Sequence, residues 1–246
     1  MCIRDSSSLA GTIAGGNNNI INGACGFVGG GARNTASTFG VVVGGTGSTA
    51  CACAVVVGGK NNVALGSNSV VVNGTGSCAS GIYSSIVNGT GNTAAGFSNF
   101  IGNGICNCAN SSYTAVIAGF YNTASNGCYG TVVNGFNNFV CAPCGFIGNG
   151  SYNKICARYD GRGNTILNGS SNCISGSIIC SNVVVNGDSN DIIGSSRSSI
   201  VNGRNNEING GGCALIGGGL SNTITGFNST ILNLSLIHIS EPTRPY

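Results

Sequence analysis

Ser85-Ile86-Val87-Asn88-Gly89-Thr90-Gly91-Asn92-Thr93-Ala94-Ala95-Gly96 reads as a short β-branched strand, an Asn-Gly turn, a polar corner closed by Asn, a second short strand and a glycine. The unit recurs from Thr12 to Asn233. Taking the Gly after each apolar triplet as position zero gives fourteen anchors: Gly16, Gly31, Gly45, Gly59, Gly74, Gly89, Gly104, Gly119, Gly135, Gly150, Gly169, Gly187, Gly203 and Gly219. Their spacing is 14–16 residues, except for 19 after Gly150 and 18 after Gly169. Position −3 is Val or Ile in every copy. Position +3 is Asn in twelve, with Ser48 and Ser77 in the others, and position +5 is always Ala, Val or Ile. A fifteenth copy begins at Thr230, where the anchor falls on Leu234.

A helix needs apolar residues every three or four positions over ten or more residues. Here the apolar runs are short, β-branched and bounded by Asn-Gly or Gly-Gly, which favour the positive φ of sharp turns. Each unit therefore holds about two strands and two corners. A unit this small cannot bury its own apolar face and must stack on its neighbours. The sequence predicts an all-β fold, a parallel β-solenoid (β-roll) of about 14–15 coils with a 14–16 residue repeat. At ~4.8 Å per coil such a stack makes a rod ~65–70 Å long. Asn92, Asn107, Asn122, Asn138 and Asn153 then become rungs of an amide ladder, each side chain bonding the next.

The triplets carry a second message. Val70-Val71-Val72 is apolar on both faces, and strands of that kind are covered on both. The two positions flanking the invariant column also trade volume: Phe27 goes with Gly29, Phe100 with Gly102, Phe146 with Gly148 and Leu215 with Gly217. Such compensation points to a closed space and to self-association, as a trimer. In the alternative orientation these flanking positions are the coil interior, and the invariant Val/Ile column faces outward.

The two ends read differently. Residues 1–6 and 234–246 resemble translated transposase-type sequencing adapters, which leaves 7–233 as one β-solenoid repeat domain cut from a longer protein. Those ends hold the single His and the single Met, and two of three Pro. Gly is 44 of 246 residues and charge is 6 %, an unusual balance for a globular enzyme, and the high Val and Ile content argues against disorder. No apolar run approaches the ~18 residues that a membrane helix needs, and no basic stripe offers a nucleic-acid footprint.

Few residues could carry chemistry. Cys141-Ala142-Pro143-Cys144 has redox C-x-x-C spacing, but a reactive thiol of that kind needs a helix N-terminus that the repeat does not supply. Cys51/Cys53 and Cys106/Cys108 have clamp-like spacing yet lie about four coils apart, too far to share one ion. Cysteine is read instead as a small apolar filler. Cys141 and Cys156 fall in one column on adjacent coils, at a separation a disulfide permits. The body carries 13 Cys, an odd number that argues against a complete disulfide framework. Its acids are Asp160, Asp188, Asp191 and Glu207. Asp191 and Glu207 share a column, as glycoside hydrolysis would need of two carboxylates, while Asp188 and Arg204 share another as an ion pair. With no His and no acid cluster, the chain is read as a non-enzyme without cofactor or metal. Phe39, Tyr83, Tyr113 and Tyr129 form a partial column at position −6, read as a packed corner or, if exposed, as a platform for sugars. Insertions fall near Arg158-Tyr159-Asp160-Gly161-Arg162 and Ser177-Ile178-Ile179-Cys180. Solenoid insertions are loops, often on the binding face, which makes Arg158, Tyr159 and Arg162 the candidate receptor contacts.

The repeat resembles the head repeat of YadA-like trimeric autotransporter adhesins, in which Ser-Val-Ala-Ile-Gly-x-x-Ser-x-Ala-x-Gly recurs about every 14 residues. Val71/Ile86, Gly74/Gly89, Ser77/Asn92, Ala79/Ala94 and Gly81/Gly96 occupy the matching positions. It is also similar to Gly-Asn-rich repeats of trimeric phage tail-fibre-type proteins. The resemblance implies a left-handed roll, a homotrimer, and a place outside the cell, on a cell surface or a virion. The function read from it is that of a structural attachment fibre: a stiff repeat spacer whose partners are its own copies and a host-surface glycan or protein. An ice- or carbohydrate-binding solenoid is the alternative. A regular Thr face for ice is broken, since only Thr12, Thr131 and Thr165 occupy position −4. A polysaccharide-degrading β-helix enzyme comes third.

Overall fold

A computed structural model describes residues 10–157, 161–177, 179–235 and 238–239 of the 246-residue chain. Among them there is no helix, and every paired strand is parallel to its partner. The chain divides into two compact units, Met1–Tyr121 and Asn122–Tyr246. Both are β-solenoids, with about fifteen turns between them. Each turn places one two-residue strand in a triplet sheet and a second in another sheet. In the first unit Val70–Val71 pairs with Ser85–Ile86, and Ser85–Ile86 with Phe100–Ile101. The second sheet likewise pairs Val63–Ala64, Cys78–Ala79 and Thr93–Ala94. In the second unit the pattern continues with Thr131–Val132, Phe146–Ile147 and Thr165–Ile166. There the second-sheet strands Lys154–Ala157 and Cys173–Gly176 lengthen to four residues. The 15-residue beat thus becomes a register of identical columns, one residue per coil. Residues 1–6 lie outside the described residues. Leu234–Ser235 pairs with Gly219–Leu220.

The core is a thin inner row. Position −3, from Val28 to Ile216, is fully buried, and so is position +5, from Ala36 to Ile224. This overturns the alternative orientation of the triplet: the invariant Val/Ile column points inward, buried together with the position +5 column, while the flanking positions are partly or largely exposed. Position +5 is Ala from Ala36 to Ala124, then Val140, then Ile from Ile155 to Ile224. The change to Ile begins in the 19- and 18-residue repeats after Gly150 and persists in the 16-residue repeats that follow. Ile179, within the second insertion, is also fully buried. At Ile179 the insertion therefore reaches the core.

Three backbone positions per coil have left-handed φ. The anchor glycines run from +85° at Gly31 to +143° at Gly74. Positions −6 and +2 are left-handed as well, and mostly not glycine: Cys25, Phe39, Tyr83 and Tyr113 at −6, Arg33, Asn61, Cys106 and Tyr121 at +2. Of the three, the anchor is the one that the next coil's backbone closes. A Cβ on Gly89 would meet the Gly104 carbonyl oxygen at 2.1 Å, whereas one on Gly76, at position +2, meets nothing within 4 Å.

Candidate functional site

The buried Asn column is a structural spine whose bonds run mainly through the backbone. The Asn107 N–H donates to Asn92 Oδ1 at 2.9 Å, and Asn92 Nδ2 donates to the carbonyls of Asn88 and Gly104, both at 3.0 Å. Asn107 Nδ2 reaches the carbonyls of Asn103 and Gly119 in the same way. In the second unit the Asn138 N–H donates to Asn122 Oδ1 and the Asn153 N–H to Asn138 Oδ1, each at 3.0 Å. Direct side-chain rungs join Asn138 to Asn122 and Asn172 to Asn153. The Asn92 amide thus bonds three backbone groups at the corner, one of which, the Gly104 carbonyl, also accepts the Thr90 N–H at 3.0 Å; a buried group left with no partner would cost about 1–3 kcal/mol. With all its polar atoms engaged, the column has none left for a ligand.

A second inner polar row stands at position −5 and has no fixed residue type to announce it in the sequence. Asn99 Oδ1 accepts from the Thr114 N–H and hydroxyl, and Asn182 accepts the Ser198 N–H at 3.0 Å. Ser69 belongs to this row. Its buried hydroxyl has no hydrogen-bond partner.

The outward side of the triplet sheet exposes apolar side chains in both units. Val43, Val57, Val72 and Val87 are 48, 40, 38 and 41 % exposed, and Phe27, Phe100, Ile117, Leu167 and Val201 are exposed beside them. The volume trade across this face has a cause within one chain. The ring of Phe27 lies 3.3 Å from where a Cβ on Gly29 would stand, and that of Phe100 lies 3.5 Å from the same point on Gly102. A ring leaning over a glycine two residues on accounts for those two pairs without a closed space.

The corners carry the aromatic residues. In the first unit Phe97 sits between Tyr83 and Tyr113, with ring centroids 5.5 and 5.4 Å apart and edge-to-face geometry. In the second, Phe136 meets Tyr152 at 5.3 Å. These rings are exposed. The packed corner expected at position −6 is therefore an open one, because left-handed φ at the turn throws the side chain outward.

Cysteine also departs from expectation. The free thiols of Cys25, Cys53, Cys128, Cys144 and Cys213 are exposed, and the other free ones are partly so. None fills the interior, because no Cys occupies position −3, +3, +5 or −5. Cys141 and Cys156 are joined by a disulfide between adjacent coils, with Cα atoms 4.8 Å apart.

The acids are split between two places. Arg204 Nε lies 3.4 Å from Asp188 Oδ2 in a solvent-exposed pair, on the wall of a shallow trough lined also by Ser170, Asn186 and Leu220. Asp191 and Glu207 are register partners on the outer face of the second sheet. Burial pushes the Asp191 carboxyl above its usual range, and the neighbouring Glu207 pushes it the same way. Neither Asp191 nor Glu207 lines the trough, so the carboxylate pair and the concave surface do not coincide. Among the described residues no group of three or more His, Cys, Asp or Glu side chains is placed to hold a metal ion, and no helix is long and apolar enough to cross a membrane. Arg158 and Tyr159 lie outside the described residues; Arg162 is exposed, and its carbonyl accepts the Ser181 N–H at 3.0 Å. No protein-family model matches the chain, and no curated protein matches it.

Proposed function

We propose that the chain is a rigid spacer of a homotrimeric attachment fibre, of the surface-adhesin or tail-fibre kind, acting outside the cell or on a virion. The observation that carries this reading is the outward face of the triplet sheet. It presents Val, Ile, Leu or Phe in coil after coil, at about 40 % exposure. A soluble chain rarely leaves so continuous an apolar stripe in water, and covering each half-exposed Val would contribute about 1 kcal/mol. Copies of the same chain are the natural cover, since they share its coil pitch and align column on column. Among the described residues the buried amides are occupied and the Asp191–Glu207 pair stands apart from the trough, which favours a mechanical role over a catalytic one. Three copies would also present any distal binding tip in triplicate and so raise avidity.

Sedimentation equilibrium of the purified chain tests this. The expected mass is three times that of one chain, falling to one on Val72→Glu with Val87→Glu, which put charge into the stripe. A monomer at micromolar concentration before any substitution would overturn the reading.

A further inference from the structure

Cys128 and Cys144 are both exposed, both free, and on adjacent coils of the second unit. The Cys144 N–H donates to the Cys128 carbonyl at 2.9 Å. The turn that presents Cys144 is fixed from both sides. The Gly145 N–H donates to the Ala142 carbonyl at 3.2 Å, Pro143 occupies the position where its ring-locked φ is wanted, and Cys144 takes φ +52°. That is the pattern of a type II turn. A backbone hydrogen bond between neighbouring coils brings the two Cα atoms within the roughly 4.4–6.8 Å that a disulfide spans.

Backbone proximity alone does not make side chains meet, because neighbouring residues on paired strands point to opposite faces. At this corner they do meet. Phe97 and Tyr113 occupy the same two positions, −7 on one coil and −6 on the next, and are joined by the same N–H to carbonyl bond, here 2.7 Å. Their rings touch at 5.4 Å. Cys128 and Cys144 stand in the second unit at the two register positions that Phe97 and Tyr113 fill in the first.

We propose that Cys128 and Cys144 are a second inter-coil cross-linking site, which closes to a disulfide by exchange with a small-molecule disulfide such as oxidised glutathione. The Cys128 thiolate attacks one sulfur of that disulfide and expels one small thiolate. The Cys144 thiolate then attacks the Cys128 sulfur of the mixed disulfide, forms the Cys128–Cys144 bond and expels the second. The two protein thiols lose two protons and two electrons, and the oxidant ends as two thiols. Together with Cys141–Cys156 this would fasten three successive coils, next to the widest interval in the repeat.

The test is peptide mapping of the intact chain. After exchange with oxidised and reduced glutathione, free thiols are blocked with a maleimide and the chain is digested without reduction. The expected product is a peptide pair joined through Cys128 and Cys144, with both positions protected from maleimide while Cys25 and Cys213 are labelled. In Cys128→Ser, Cys144 should instead carry glutathione or maleimide. Separate glutathione adducts on Cys128 and Cys144 of the unsubstituted chain would overturn the proposal. So would a Cys144 joined to Cys141 or Cys156. Mapping the unsubstituted chain needs no variant to fold.

Discussion

Replacing Gly89 by Ala should cost far more than replacing Gly76 by Ala, although both glycines are left-handed and thirteen residues apart. At Gly89 φ is +107°, and a Cβ would lie 2.1 Å from the Gly104 carbonyl oxygen and 2.4 Å from Asn92 Nδ2. The oxygen belongs to the next coil's backbone and cannot swing away, so the coils must part by about 1 Å to reach normal contact. Parting them breaks the Asn92 bond to Gly104, and the Cβ pushes the same amide off the Asn88 carbonyl, at about 1 kcal/mol or more per lost bond. The left-handed backbone adds about 1–2 kcal/mol for an L residue, which brings the total to about 3–5 kcal/mol. At Gly76 φ is +62° and the space is open. Arg33, Asn61 and Cys106 already adopt φ of 53–56° at that position in other coils. Only the backbone term remains there, partly offset by the lower entropy of the unfolded chain, leaving ~1 kcal/mol or less. Urea titration followed by circular dichroism measures the difference. Amide exchange should be read beside it, because stacked repeats can open in parts. If the two variants lie within about 0.5 kcal/mol of each other, the stacking of anchor on anchor is not what demands glycine.

Ser69→Ala removes a buried hydroxyl that makes no hydrogen bond, and it should be neutral or stabilising by up to about 1 kcal/mol; a loss above that in the same titration would mean the hydroxyl has a partner. Asp191→Asn should raise stability at neutral pH. An acid whose folded pKa is raised binds its proton more tightly in the folded state, so its contribution is best at low pH and is lost as pH climbs from the unfolded value near ~3.9 through the raised folded value. Urea midpoints measured from pH 3 to 8 should fall less with pH in Asp191→Asn than in the unsubstituted chain, and parallel curves would refute the assignment.

How much the sequence disclosed depended on how strictly stacking constrains each position. The anchors, the Val/Ile column and the Asn column are legible because a wrong residue there meets the next coil's backbone or strands a buried group. Asn92 announces itself through twelve near-identical copies. Asn99 and Asn182 do equivalent work at position −5, but Gly, Ala, Ser and Thr also fit there, so no column stands out. Ile179 was hidden by an insertion that breaks the count. The volume trade at Phe27 and Gly29 was visible, but its cause was not, because a ring folding onto its own chain and a ring filling a neighbour's space leave the same mark in the sequence. Cysteine misled through its average habit of burial; its columns lie on corners and outer faces.

Those corners separate what the fold requires from what it tolerates. At positions −6 and +2 the backbone is left-handed, a conformation in which glycine avoids a cost of about 1–2 kcal/mol. Glycine is nevertheless rare at −6, where Phe39, Tyr83, Tyr113, Tyr129, Cys25, Cys53, Cys144, Cys213 and Arg197 stand. Conformation therefore did not select these side chains. Packing inside the coil did not either, because Tyr83, Tyr113 and Tyr129 are about half exposed. What remains is interaction beyond the coil's own interior, with the neighbouring coil's corner as in Phe97 and Tyr113, or with another molecule. Recognition of a partner other than its own copies should therefore map to positions −6 and +2 and spare the anchor and Asn columns, which stacking holds fixed.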